Sequence, residues 1–241
     1  MSREKILSLL SEREGEFLSG EALSERLGIS RAAVWKGVNA LRRDGYTVEA
    51  QAGLGYRLAA APDALTEYEL RRRLHGVKTV GRTLHCLESV DSTNSFLKRI
   101  AADGAADGTV AVAEEQTAGR GRRGRGFTSR AGCGVYLSAL LRPALEPARL
   151  LPLTALGAVA ACDAVERTCG VRPQIKWTND LVLNWKKLSG TLTELSLEGE
   201  SGELQYAVIG IGINCNNTSE DFPPELADTA TSLFLETGRR V

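Results

Sequence analysis

An α+β chain is what this sequence predicts: an N-terminal winged helix-turn-helix followed by a larger mixed-sheet α/β domain. Three observations carry that expectation. Within the first sixty residues a capped, basic helix is followed by two alternating strands around a glycine turn. Beyond residue 66, strand and helix patterns alternate. Between two of those strands, residues 119–125 read Gly-Arg-Gly-Arg-Arg-Gly-Arg, four arginines and three glycines in seven positions.

The elements follow in order. Ile6, Leu7, Leu9 and Leu10 recur at helical spacing and predict a helix over 3–14. Ser19 caps a second, short helix whose apolar face is Ala22, Leu23 and Leu27, and Gly28 ends it where a positive φ is needed. Ser30 caps a third helix running to about residue 43, with Ala33, Val34, Val38 and Leu41 as its buried stripe. Its charges are Arg31, Lys36, Arg42 and Arg43, with no acid, whereas the segment before it is acid-rich. That polarity suits a recognition helix in a DNA major groove. The candidate DNA contacts are Ser30, Arg31, Ala32, Trp35 and Lys36, with Trp35 open between a core and a phosphate-facing position. Strands at 46–49 and 56–58 with the turn Gln51-Ala52-Gly53-Leu54-Gly55 complete a wing, Tyr46 and Tyr56 packing the hairpin. The expected DNA-binding domain is 1–62, and Ala59-Ala60-Ala61-Pro62-Asp63-Ala64 is a linker.

A second domain is expected over 66–241. Thr66 caps a helix over 67–74 with Arg71-Arg72-Arg73 on a solvated face. Strands are expected at 83–87, 109–114, 135–141, 175–177, 188–197 and 205–214. Asp91-Ser92-Thr93-Asn94 caps a helix over 95–106, and an alanine-rich helix over 151–169 is small-faced enough to lie close on a sheet.

The arginine run cannot pack as core, because every guanidinium stays charged and must meet an anion or water. No acid occurs between Thr117 and Arg142. By composition the run reads as a solvated basic loop, as a glycine–arginine segment for nucleic acid, or as a mobile loop closing on a phosphate or carboxylate. Its place between two core strands favours a ligand loop.

Composition bounds the remaining options. Thirty basic residues balance thirty acidic ones, so there is no global pull toward nucleic acid or membrane, and electrostatic function must be local. No apolar run approaches the roughly 20 residues of a membrane span, and the start of the chain is amphipathic rather than signal-like. The five scattered cysteines form no C-x-x-C pair and read as reduced, mostly buried thiols of a cytoplasmic protein. Only two histidines, His75 and His85, argue against a histidine metal site or a Ser–His triad.

Polar clusters stand at the strand ends, each dull alone: Ser92-Thr93-Asn94 as a cap, Asn179-Asp180 as a turn, Lys186-Lys187 as a strand start. In order, Asp91-Ser92-Thr93-Asn94, Gln116 with the arginine run, Lys176-Trp177-Thr178-Asn179-Asp180, Lys187-Leu188-Ser189-Gly190 and Gly210-Ile211-Gly212-Ile213-Asn214 resemble the biotin–protein ligases. With the winged helix in front, the chain resembles the bifunctional kind that also represses biotin-synthesis genes. The resemblance spans nearly the whole chain and makes the second domain a catalytic domain of the biotin/lipoate ligase type.

The resemblance implies two steps. The carboxylate of biotin attacks the α-phosphate of ATP, giving biotinyl-5′-AMP and pyrophosphate, and a lysine of a biotin carboxyl carrier protein then takes the biotinyl group. It implies biotin contacts from Ser92, Thr93, Asn94, Gln116, Arg120, Gly121, Arg122 and Lys187. Nucleotide contacts would come from Arg122, Arg125, Lys176, Asn179, Asp180 and Asn214, with Asp180 an indirect Mg²⁺ partner and no side-chain metal cluster. Lys187 and Arg122 are the implied catalytic pair. Biotinyl-AMP would also serve as corepressor, favouring a homodimer on operator DNA. A non-catalytic biotin-sensing repressor and a lipoate-type transferase remain the alternatives. Three departures stand out: Gly126-Phe127 where the family has a polar residue and a tryptophan, Thr178 in place of a proline, and an end at Val241. Family members continue further, so the expectation is a fragment or a shortened ligase lacking a C-terminal β-barrel-like domain.

Overall fold

The computed structural model describes residues 2–13, 15–74, 76–150 and 152–241. Glu14, His75 and Leu151 lie outside the described residues, and with them two expected helix ends and one of the two histidines. The described chain divides into two compact units that meet between Ala64 and Leu65.

The first unit contains α1 (Ser2–Glu12), α2 (Gly20–Leu27), α3 (Arg31–Arg43), β1 (Thr47–Gln51) and β2 (Gly55–Ala60). Ser19 Oγ accepts from Ala22 N–H at 3.0 Å and Ser30 Oγ from Ala33 N–H at 3.2 Å, each satisfying an orphan donor of a first turn. Gly28 is left-handed, as a C-terminal cap requires. Ile6, Leu10, Leu23, Val34, Val38 and Leu41 bury completely where the three helices meet. At about 1.5–3 kcal/mol for each large aliphatic side chain, that core holds the unit together. Ala33 is only half-buried, and Gly37 takes its expected place in the buried stripe. Trp35 is 57% exposed, which decides against a core position. The guanidinium of Arg42 folds back onto Val48 O, at 2.9 Å from Nε and 2.7 Å from Nη2. The outward charge of α3 is therefore carried by Arg31, Lys36 and Arg43.

The second unit is a seven-stranded sheet with helices on both faces. It comprises α4 (Glu67–Arg73), β3 (Leu84–Val90), α5 (Thr93–Ala102), β4 (Val110–Gln116), β5 (Gly134–Leu141), α6 (Leu153–Cys169), β6 (Gln174–Lys176), β7 (Asp180–Leu183), β8 (Lys186–Leu197), β9 (Leu204–Asn214) and α7 (Leu233–Thr237). The strand order is β3-β4-β5-β9-β8-β7-β6, with β3 and β4 parallel and every other pair antiparallel. Side chains alternate across each strand. Ile209, Ile211 and Ile213 therefore face α6, whereas Val208, Gly210 and Gly212 face the side on which α5 lies. Ala158, Ala161, Cys162 and Val165 of α6 pack on Leu181, Leu188 and Ile213. Gly157 permits that closeness, since a Cβ there would stand 2.5 Å from Ile209 Cδ1. Leu97 and Ala101 of α5 pack on Ala111, Leu140 and Val208.

Several expectations are corrected. Asp180 to Leu183 forms a strand where only a turn was expected, because its backbone pairs with both β6 and β8. Trp177 leaves the strand, stands 79% exposed and enters a turn with a cis peptide before Thr178. Helix α5 starts earlier and stops at Ala102, with Gly104 at φ 88° just beyond it. Only Cys162 and Cys215 are buried; Cys86, Cys133 and Cys169 are partly exposed, and all five are free. The stretch Pro147–Cys169, 23 residues with an 18-residue window of mean hydropathy 1.5, does pass for a membrane crossing by length and composition. Its helix lies on the sheet through the small residues just named, as a core helix does.

Candidate functional site

Three strand-to-loop junctions converge on the α5 face of the sheet. The residues after β3 open α5 with Ser92, Thr93 and Asn94, all at most 4% exposed. Ser92 occupies the N-cap position, yet its side chain makes no capping bond. That task passes to Gln116 at the end of β4, whose Oε1 accepts from Thr93 N–H at 2.9 Å. Gln116 Nε2 in turn donates to Ser129 Oγ at 2.9 Å, and Ser129 donates to Phe127 O at 3.0 Å.

The arginine run that follows β4 is a small hairpin rather than an open loop. Phe127 N–H donates to Gly119 O at 2.9 Å and Gly121 N–H to Arg125 O at 2.7 Å. Arg123 and Gly124, both at positive φ, form its tip. All four arginines are exposed, but two are anchored. Arg120 Nη2 donates to Ser95 Oγ at 3.0 Å and lies 3.4 Å from Glu194 Oε2. Arg122 Nη1 donates to Asn179 Oδ1 at 2.9 Å, tying the hairpin to the turn before β7. Phe127 tucks under Gly212, where a Cβ would fall 2.6 Å from its ring, and meets Tyr136 edge-on. The ring at this position is therefore used for packing.

Lys187 arrives by a register device. Val182 pairs with Lys187 and Leu181 with Ser189, so Leu188 is an extra residue in β8. A bulge re-aims what precedes it. Here it puts Lys187 on the same face as Gly190 and Asp180, a face it would otherwise oppose. Lys187 Nζ meets Asp180 Oδ1 at 2.7 Å, and that oxygen also accepts from Asn179 Nδ2 at 2.9 Å. The Lys187 backbone is clamped by Thr229 O at 2.7 Å and Thr231 N–H at 2.9 Å.

The resulting cleft is lined by Ser92, Thr93, Asn94, Gln116, Arg120, Gly121, Arg122, Asn179 and Lys187, with Phe127, Leu137, Leu192 and the glycine strand β9 as its apolar wall. Hydrogen-bonding groups, an apolar wall and two arginines with a lysine, gathered in one cleft, suit a small molecule that carries a polar ring, an apolar part and an anionic group. Of the residues singled out from sequence, Asp180 lies one contact behind Lys187. Arg125 and Lys176 are exposed and do not line the cleft; Asn214 is buried and donates to Thr231 O at 3.0 Å. A second, open cleft is lined by Glu88, Ser89, Glu114, Glu115 and Ala131. Its three carboxylates make it a poor host for an anion, so the arginine-lined cleft is the better candidate. Ser138, Ser129 and Glu194 escaped sequence reasoning. Their signals were faint: one serine inside the apolar strand β5, one acid inside β8.

Electrostatics agree with the geometry. Burial would raise the Glu194 carboxyl, but hydrogen bonds from Lys98 and Asn94 and the charges of Lys98 and Arg120 hold it below its ordinary value. The Arg99 guanidinium brings Asp91 down to about 2. A magnesium ion held by one or two carboxylates and otherwise by water and phosphate needs few protein ligands. Asp180, with Oδ2 outside the two bonds above, fits that kind of role. Among the described residues no cluster of three or more His, Cys, Asp or Glu side chains forms a metal cage.

Comparison with known proteins agrees with this architecture. Residues 86–214 match the model of the Biotin/lipoate A/B protein ligase family, and residues 2–57 match an HTH domain. The chain is 42% identical over 241 residues to the bifunctional ligase/repressor BirA of Bacillus spizizenii, covering 99% of this chain and 73% of that protein. It is 36% identical over 210 residues to the BirA of Escherichia coli, of which it spans 62%. Among solved structures it resembles the biotin protein ligase from Aquifex aeolicus in complex with biotin and ATP. There the TM-score is 0.54 and the identity 36%, over 66% of this chain and 63% of that one.

Proposed function

The chain belongs to the biotin/lipoate A/B protein ligase family, and we propose that it is a biotin–protein ligase and repressor. It activates biotin with ATP as biotinyl-5′-AMP, passes the biotinyl group to a lysine of a biotin carboxyl carrier protein, and binds operator DNA through its winged-helix unit in response to biotinyl-AMP. The observation that supports this best is one cleft that brings the hydrogen-bonding groups of Ser92, Thr93 and Gln116 together with Arg120, Arg122 and Lys187.

The first step brings a carboxylate to a phosphate, so repulsion and alignment are the main obstacles, and no enzyme nucleophile is needed. Ser92, Thr93, Asn94 and Gln116 take the ureido ring. The apolar wall takes the alkyl chain. Arg120, Gly121 and Arg122 receive the carboxylate and the α-phosphate. Lys187, once it leaves Asp180, stabilises charge growing on the bridging oxygens. Asn179 and Asp180 take the nucleotide, and Asp180 would be the side chain that holds Mg²⁺, which would supply charge neutralisation there. On the winged helix, Ser30, Arg31, Ala32, Trp35 and Lys36 face DNA, the last two exposed on α3. Biotinyl-AMP favours a homodimer, which offers two such helices to two half-sites. The protein works in the cytoplasm, where its five free thiols stay reduced.

The deciding experiment mixes the chain with biotin, ATP and Mg²⁺ and looks for biotinyl-AMP by mass spectrometry, with Lys187→Ala as control. Adduct formation that the control suppresses is expected. Biotin binding without adduct would favour a sensor that does not make its own corepressor.

A further inference from the structure

Glu194 does not line the cleft, yet it stands behind it as the acceptor for three donors. Asn94 Nδ2 reaches Glu194 Oε2 at 2.9 Å, Lys98 Nζ reaches Oε1 at 2.9 Å, and Arg120 Nη2 lies 3.4–3.5 Å from both oxygens. A carboxylate only accepts, and so does a backbone carbonyl. Asn94 Nδ2 faces one of each, Glu194 and Leu192 O, the latter at 3.4 Å. The Asn94 amide is thereby fixed with Oδ1 turned toward Ser138. Ser138 Oγ stands 2.6 Å from that oxygen and must spend its one proton there. Thr93 Oγ1 lies 2.6 Å from Ser138 Oγ and only 3.1 Å from Gln116 Oε1. Since Ser138 has no proton left to give, Thr93 is the donor in the shorter contact. Gln116 Oε1, which also accepts from the Thr93 N–H, has a second lone pair for the same hydroxyl proton, so both neighbours of Thr93 Oγ1 draw that proton away from the cleft. What Thr93 Oγ1 offers the cleft is therefore a lone pair and no proton.

We infer that Glu194 is a positioning residue that sets the direction of the chain Thr93→Ser138→Asn94→Glu194, and so makes the Thr93 hydroxyl an obligate acceptor that selects a neutral ring N–H. This deepens, and rests on, the reading of the cleft as the biotin site: a cyclic urea presents such an N–H, whereas a ring with oxygen or sulfur at that place presents lone pair to lone pair. A buried acceptor facing another acceptor is a strong basis for rejection, because neither can recruit water in a closed site.

The test compares binding of biotin with that of its two cyclic-carbamate analogues, in which one or the other ureido N–H is replaced by ring oxygen. Calorimetry is run on the full chain, on Glu194→Gln and on Ser138→Ala, with circular dichroism to verify folding. Glu194→Gln can accept or donate, so Asn94 is no longer held one way; Ser138→Ala cuts the chain midway without touching an ion pair and serves if the first variant misfolds. The parent is expected to prefer biotin to at least one carbamate by about a hundredfold or more. In both variants that ratio should shrink about tenfold. If biotin and carbamate weaken in the same proportion, Glu194 and Ser138 are only structural and the inference is overturned. If the parent does not bind biotin at all, the reading of the cleft fails first and the inference falls with it.

Discussion

Lys187 reaches the cleft only because Leu188 is an extra residue in β8, and that sets what its removal should do. The ammonium group now rests on Asp180, so a neutral or singly anionic ligand gains little from it before reaction. Charge grows on the carboxylate–phosphate junction only in the transition state, and an interaction made there changes rate more than binding. Lys187→Ala should leave the biotin dissociation constant within about threefold and slow single-turnover adenylation by about 10²–10³, the range for loss of one preorganised donor. Equal adenylation rates in rapid-quench experiments would remove Lys187 from the chemistry. A second residue-scale consequence concerns Asp91, whose carboxyl the Arg99 guanidinium holds at about 2 against an ordinary 3.8. With the folded value depressed, the stabilisation is present above about pH 4 and disappears as the pH falls toward 2. The pair is largely solvent-exposed, so solvent screening keeps the contribution small. Asp91→Asn should melt slightly below the parent at pH 7, and the gap should close between pH 4 and pH 2.

At the scale of elements, β9 shows how a strand can serve a core and a ligand together. Its isoleucines fill the α6 side, while its glycines leave the other face open. A methyl group at Gly210 would stand 2.2 Å from Asn94 Oδ1, inside the hydrogen-bonded chain. Gly210→Ala should therefore cost about 1–3 kcal/mol in urea unfolding, as overpacking does, and abolish measurable biotin binding. The arginine hairpin carries a different load. Arg122 ties its tip to Asn179, so Arg122→Gly should shorten the lifetime of bound biotinyl-AMP in a chase assay; an unchanged lifetime would mean that the hairpin does not retain the intermediate. Much of this was readable from local chemistry. Ser19, Ser30 and Thr66 each cap as their neighbours dictate, and Gly28 closes α2 as a left-handed residue. The glycine–isoleucine alternation announces a strand with one open face. The bulge at Leu188 was not readable, because register depends on the partner strand rather than on β8 alone. Nor was the capping of Thr93 by Gln116, or the link from Asn94 to Glu194 across 100 positions, since no periodicity encodes contacts between distant strands.

At the scale of the molecule, the two units pose a question of coupling. If biotinyl-AMP makes the chain bind operator DNA more tightly by some factor, linkage requires DNA to tighten biotinyl-AMP by the same factor. If the exposed Arg31, Lys36 and Arg43 of the winged-helix unit meet phosphates, each such contact adds close to one to the steepness of log K against log salt. Ligand-driven dimerisation should therefore show itself twice: as a tenfold or greater gain in operator affinity at fixed salt, and as a roughly doubled salt slope, because two basic helices replace one. Fluorescence anisotropy on operator DNA across a salt series, with and without biotin and ATP, measures both. A gain in affinity with an unchanged slope would mean that the ligand reshapes one winged helix rather than recruiting a second. The reciprocal measurement, biotinyl-AMP release with and without operator, must then return the same factor; a mismatch would show that ligand and DNA act on different populations of the chain.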